Sequence, residues 1–267
     1  MRPKVIEKIP SIEATQSIET TTDAYLDGRI WLSQPARGYR AGLDAIILAA
    51  ACPAAANAAV LDCGAGVGTV GLAVASRCPA AMVTLVEKSP ALAQLAHVNA
   101  AENHLGDRVS IVTTDVTSSL SLSPALLARA ETFDHVVANP PYFDHAQGTR
   151  ASDTLKDGSH AMPSGTLDDW VRFAASMAKP GGTYTLIHRA EALGEILAAC
   201  QRRFGGLKIL PLHTRLDAPA TRVVVQGIKG SRAPLALLRG RAVHGADGKV
   251  YTAEFEGILR SGAPLAL

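Results

Sequence analysis

The run Asn139-Pro140-Pro141-Tyr142-Phe143 combines a side-chain amide, two prolines and two aromatic rings. Prolines lack an amide hydrogen and cannot continue a central strand, so a strand that reaches this run must leave its sheet rigidly. Such an exit presents two acceptors, the Asn139 side-chain oxygen and the Pro140 carbonyl. An amide-like nitrogen, such as an exocyclic base nitrogen, is a poor nucleophile because its lone pair is delocalised. Two acceptors that hold its two N–H bonds turn the lone pair toward an electrophile for in-line displacement. Catalysis is then mainly placement, which can supply about 7–11 kcal/mol. Tyr142 or Phe143 can stack on a planar substrate, worth about 1–3 kcal/mol for a base.

A second constellation lies upstream, in Asp62-Cys63-Gly64-Ala65-Gly66-Val67-Gly68 followed by Gly71. Glycines let the backbone turn tightly and let a ligand approach main-chain atoms that a Cβ would block. Gly66, Gly68 and Gly71 fit a dinucleotide fingerprint, yet the turn already begins at Gly64. Asp62 also places a carboxylate where a pyrophosphate would lie. S-adenosylmethionine carries no phosphate and bears a sulfonium and an ammonium, so an acid nearby favours it. Glu87, 19 residues past Gly68, can accept both hydroxyls of a ribose, and Asp115 can accept from an adenine amino group. The expected cofactor contacts are thus Asp62, Gly64, Ala65, Gly66, Gly68, Glu87, Asp115 and Asn139. Cys63 reads as a small space-filler.

These residues need a scaffold that gathers them, and hydrophobic patterning supplies one. Strands are expected at 59–62, 83–87, 109–113, 133–138 and 183–188, separated by helices at 67–77, 90–103, 124–131 and 167–178, with a further helix at 190–203. Strands at 207–212 and 222–228 follow with no helix between them. This alternation predicts an α/β fold, a doubly wound, seven-stranded, mostly parallel Rossmann-like sheet with a C-terminal antiparallel hairpin. Ligands bind such sheets at the carboxyl ends of the strands, where Asp62, Glu87, Asp115 and Asn139 all fall. Residues 1–22 read as a flexible tail. Residues 23–57 read as a hairpin around Asp27-Gly28 and a helix capped by Asp44, residues 58–230 as the core, and 231–267 as a basic extension. Trp170 and Phe173, three apart on a helix, read as core. The polar stretch 144–167 reads as a substrate-side lid, and His145 and His160 within it as loop residues without a role.

Composition narrows the class further. Of 267 residues 48% are apolar, enough for a full core, while only 4% are aromatic. The polar N-terminus lacks the apolar run of a secretory signal, and no window is long enough for a membrane span, so a cytoplasmic protein is expected. Cys52, Cys63, Cys78 and Cys200 show no metal-binding spacing and read as buried thiols. The net charge of +2 hides an asymmetry: residues 202–267 hold 11 basic and 4 acidic residues. A basic end of this kind suits an anionic partner, with Arg239 and Arg241 as candidate phosphate contacts.

In order and spacing, the motifs at 62–68, 87, 115 and 139–142 resemble those of class I S-adenosylmethionine-dependent methyltransferases with an N-P-P-Y motif. The resemblance covers about residues 24–230. The segment Gln34-Pro35-Ala36-Arg37-Gly38-Tyr39-Arg40-Ala41-Gly42-Leu43-Asp44-Ala45 looks like the bacterial tRNA(Val) adenine N6-methyltransferase family, which often has Thr where Leu43 stands. The ending Arg222–Leu259, with Tyr251-Thr252-x-Glu254, is also similar. The resemblance implies S-adenosyl-L-methionine as cofactor and Asn139, Pro140 and Tyr142 as catalytic residues, while stacking points Tyr142 and Phe143, and charge Arg239 and Arg241, toward substrate. It implies tRNA or another structured RNA as partner, and no metal. Methylation of a glutamine in a release factor uses the same motif but behind a longer helical N-terminal domain. O-methylation of a small molecule and a non-catalytic RNA-binding module are the other readings.

Overall fold

A computed structural model describes residues 7–9, 18–38, 40–118, 123–141 and 166–267. The chain opens with three strands, β1 (Glu7–Ile9), β2 (Ile18–Tyr25) and β3 (Ile30–Pro35), which pair antiparallel in that order. Helix α1 (Leu43–Ala51) leads to the alternating core: β4 (Ala59–Cys63), α2 (Thr69–Arg77), β5 (Met82–Glu87), α3 (Pro90–Glu102) and β6 (Val109–Thr113). It continues through α4 (Pro124–Leu127), β7 (Phe133–Ala138), α5 (Thr166–Met177), β8 (Ala178–Arg189) and α6 (Leu193–Cys200). The chain ends with β9 (Phe204–His213), β10 (Ala220–Lys229), two short strands β11 (Ala236–Leu237) and β12 (Arg241–Ala242), and α7 (Ala253–Ser261).

The main sheet runs β11-β9-β10-β8-β7-β4-β5-β6, with β12 also on β9. From β8 to β6 every pair is parallel, whereas β10 is antiparallel to both β8 and β9. The expected parallel sheet with a closing hairpin is therefore present as the seven strands β4 to β10. Helices α1, α2, α3 and α7 bury Ile47, Leu72, Ala96 and Phe255 against one face. Helices α4, α5 and α6 bury Leu126, Phe173 and Ile196 against the other.

Several boundaries differ from the sequence expectation. The tail expected over 1–22 runs into β2, whose register with β3 begins at Thr20 opposite Pro35. Its Thr-rich polar run is β-branched and suits a strand, and Thr20 is buried. Asp44 does not cap α1, because the cap residue is Gly42 and the Asp44 carboxylate instead pairs with Arg222 at 2.8 Å. Strand β8 starts five residues early, at Ala178. Its register with β7 breaks between Phe133 and His135, where a Cβ on Gly182 would stand 3.0 Å from the Phe133 carbonyl.

The three-stranded sheet is joined to the core by two helix side chains. Asn99, wholly buried, accepts from Ser33 N at 2.7 Å and donates to Ser33 O at 3.1 Å. One turn on, Asn103 does the same for Trp31, at 2.8 and 2.7 Å. The i, i+4 spacing on α3 thus matches alternate residues of β3, and two amides satisfy a strand edge that would otherwise be left open. The Asn99 amide nitrogen also donates to Val67 O at 2.9 Å, inside the glycine loop. Replacing Asn99 with Ala strands three backbone groups, each worth roughly 1–3 kcal/mol when buried unpaired. Asn99→Ala should cost about 3 kcal/mol or more in urea unfolding, and clearly more than Asn103→Ala. Asn103 also has a third bond, to Asn99 O at 2.7 Å, but is only half-buried; equal losses would show that the deeper burial of Asn99 adds nothing.

Candidate active site

The strand order reverses direction between β4 and β7. From β4 the chain proceeds outward to β5 and β6, then returns to build β7 on the other flank. Such a switch point opens a crevice at the carboxyl edge of an open sheet. Cys63 pairs with Ala138 across β4 and β7, and with Val86 across β4 and β5. The next residues on these strands are Asn139, Gly64 and Glu87, which therefore stand side by side along the edge. Glu87 lies opposite Thr113 of β6, two residues before Asp115.

The loop after β4 turns through Gly64, Gly66 and Gly68 at φ of 65°, 57° and 91°. Those values lie in the left-handed region that glycine adopts without strain. Three of its amides are bonded within the protein. Ala65 N donates to Val86 O at 2.9 Å and Gly68 N to Ala65 O at 2.8 Å. Gly66 N donates to Glu87 Oε2 at 2.8 Å, and Gly71 N to Asp62 Oδ2 at 2.9 Å. Glu87 Oε1 accepts from Ser89 N at 2.8 Å, so this carboxylate ties the loop to the start of α3. A phosphate-binding loop offers its free amides to the anion. Here two amides are already held by two buried acids. The donor set fits a cationic ligand with ribose hydroxyls, since each Glu87 oxygen keeps a second lone pair.

The expected residues divide by role. Asp62 is fully buried below the loop and braces the first turn of α2. Burial pushes its carboxyl up to about 7, partly offset by the Gly71 N–H and reinforced by the charge of Glu87. Glu87 and the loop residues Gly64 to Gly68 lie together at the carboxyl edge of the sheet. Asp115 holds Thr117 through its Oδ1, at 2.8 Å from the amide and 2.7 Å from the hydroxyl, which leaves Oδ2 for a ligand. Asn139 is half-buried and Pro140 buried. Tyr142, Phe143, His145 and His160, and the expected lid up to residue 165, lie outside the described residues. Cys63 is buried, and desolvation holds its thiol well above the usual range, which makes it a packing residue.

Trp170 is core, as its spacing suggested, but it does more than fill space. A Cβ on Gly64 would overlap the Trp170 indole, so the ring forms the floor of the loop's first turn. Only the absence of a side chain at Gly64 marks this contact in the sequence. The substrate-side arginines separate. Arg241 pairs with Glu254 and donates to Ala266 O at 2.9 Å, so it serves the fold. Arg239 is exposed, and its side chain has no partner among the described residues.

An open sheet with this switch point, a glycine loop on carboxylates and Asn-Pro-Pro beside it defines a class I methyltransferase. The comparisons agree. The model of the methyltransferase small domain matches residues 42–165. The crystal structure of a predicted O-methyltransferase from Agrobacterium tumefaciens is 31% identical and superposes with a TM-score of 0.69, covering 84% of this chain and 99% of the other. The tRNA1(Val) (adenine(37)-N6)-methyltransferase of Bacteroides fragilis is 26% identical over 70% of this chain and 76% of its own. That of Serratia proteamaculans is 27% identical over 82% of each. The chain belongs to the class I S-adenosylmethionine-dependent methyltransferases, and S-adenosyl-L-methionine is its cofactor.

Calorimetry should register S-adenosylhomocysteine and no binding of NAD; the reverse would overturn the account of the loop amides. The Asp62 carboxyl has an ordinary value of 3.8 when unfolded. Between about pH 4 and pH 7 the folded protein therefore holds a proton that the unfolded chain has lost, and stability falls as pH rises through that window. Desolvation lowers His188 from 6.5 to about 4, which acts in the opposite sense as pH falls. Asp62→Asn keeps an acceptor for Gly71 and removes one ionisation only, so the His188 effect cancels in the comparison. Wild type should lose melting temperature relative to Asp62→Asn as pH rises from about 4 to 7. Parallel melting curves would mean that Asp62 titrates normally.

Proposed function

We propose that this enzyme transfers methyl to N6 of an adenine in tRNA. The observation that carries the reading is the register that sets Asn139-Pro140 beside the glycine loop, at the β4/β7 switch point. S-adenosylmethionine, when bound, supplies an electrophilic methyl group. The Asn139 side-chain oxygen and the Pro140 carbonyl hold the two hydrogens of the target amine and aim its lone pair. Two prolines keep that exit stiff, and Pro140 is buried against the core. No strong base is required, because the ammonium product is acidic enough to lose its proton to water. A base must leave its stack to reach such a site. The names of the Bacteroides fragilis and Serratia proteamaculans relatives support adenine and tRNA as the target.

The Agrobacterium neighbour favours a second reading, O-methylation. A hydroxyl acceptor must lose its proton as it attacks, which calls for a base. The β7 exit offers an amide and prolines, groups that orient a substrate and do not take its proton. Incubation of the enzyme with labelled cofactor and total tRNA, a release factor or small phenols separates these substrates. Label in N6-methyladenosine after nucleoside digestion is expected; label only in a phenol or a protein would replace this reading. Asn139→Ala should lower transfer about 10²–10³-fold, the cost of a lost placed acceptor at roughly 2.7–4 kcal/mol, with cofactor affinity within a few-fold. Near wild-type turnover would reduce the motif to a strand exit.

A further inference from the structure

We propose that the far end of the sheet's carboxyl edge is an RNA-docking platform, Tyr251 stacked on His244 with Lys249 and Arg239 as phosphate contacts; it rests on the reading that tRNA is the substrate.

The register brings these residues to the edge that carries Asn139. Strand β8 ends at that edge, and its His188 and Arg189 lie opposite Val223 and Arg222 near the start of antiparallel β10. Ala220 of β10 pairs with His213 of β9, so the turn between them projects beyond the same edge. Strand β12 sets Arg241 and Ala242 beside Leu212 and His213. His244 N then donates to Thr214 O at 3.0 Å, which carries the 244–251 segment to the edge as well. Neighbouring strands are about 4.8 Å apart, so β12 lies roughly 15–20 Å from β7. One RNA loop can span that distance.

The surface there is built for bases and phosphates. Across an isolated bridge, the His244 and Tyr251 rings stack with centroids 4.8 Å apart and 24° between planes. Tyr251 is 38% exposed, in a chain with only 4% aromatic residues, and Val250 before it and Leu216 in the β9–β10 turn are exposed. The acids nearby are occupied. Asp247 accepts from Lys249 N at 3.0 Å and Val250 N at 3.4 Å, Asp217 holds Arg215 at 3.0 Å, and Glu254 holds Arg241. The side chains of Lys249 and Arg239 are exposed and form no bond among the described residues. Unpaired RNA bases stack on aromatic and imidazole rings in this manner, and free cations beside them hold the backbone. The earlier pair Arg239 and Arg241 is thus replaced by Arg239 and Lys249.

The test measures affinity for labelled total tRNA by anisotropy, with calorimetric S-adenosylhomocysteine affinity as the check on folding. Tyr251→Ala should weaken tRNA binding roughly 10-fold or more, while Tyr251→Trp retains it. Lys249→Glu should weaken binding and lower the log–log salt slope by about one or more. Wild-type tRNA affinity in both Tyr251→Ala and Lys249→Glu, from an enzyme that methylates tRNA, overturns the platform and leaves the substrate reading intact. A wild type that neither binds nor methylates tRNA, and labels a protein instead, overturns both. If Tyr251→Ala loses cofactor affinity through misfolding, wild-type tRNA affinity and salt slope in Lys249→Glu overturn the platform.

Discussion

The site depends on a carboxylate that binds two backbone amides. Glu87 ends β5 with Oε2 on Gly66 N and Oε1 on Ser89 N, so one side chain fixes the glycine loop and the start of α3 together. The loop cannot hold itself, because three of its residues sit at positive φ and contribute no side chain. Asp62 does the matching work from below at Gly71. With the Gly66 amide committed to the Glu87 carboxylate, a cationic, hydroxyl-bearing ligand is favoured over an anion. Cofactor choice is thereby written into the hydrogen bonding of the loop itself, before any ligand arrives.

A second set of contacts connects that loop to the rest of the chain. Asn99 joins β3, α3 and Val67 through one buried amide, so the N-terminal sheet is mechanically part of the cofactor site. From the other face, the Trp170 indole occupies the space beside Gly64. Helix α5, which carries Trp170, begins where the chain returns after the Asn-Pro-Pro exit. The loop is thus braced from both faces of the sheet, by residues 71 positions apart in the sequence.

The basic C-terminal part contributes to the fold before it contributes charge. Arg203, Arg222, Lys229 and Arg241 are each paired with an acid, and Phe255, Ile258 and Leu265 are buried against α1. A net charge read from composition cannot distinguish such cations from free ones. Pairing decides which remain available, and it leaves Lys249 and Arg239 exposed at the substrate edge.

Much was determined by sequence alone. The strand–helix alternation set the doubly wound sheet, because periodicity is a local property that each segment carries with it. Glycines in sequence and a proline pair after a strand marked the loop and the exit for the same reason, since their backbone limits are intrinsic. That Glu87 would lie beside the loop followed from the rule that ligands sit at carboxyl ends. Only the tertiary structure decided that β2 reaches back to Ile18, that Asp44 pairs with Arg222 and not with its own helix, and that Asn99 and Asn103 close the edge of β3. It alone turned Asp62 inward and Trp170 toward Gly64. These are contacts between residues far apart in the chain, chosen by burial and by competition for partners, and no local pattern of residues encodes which partner wins.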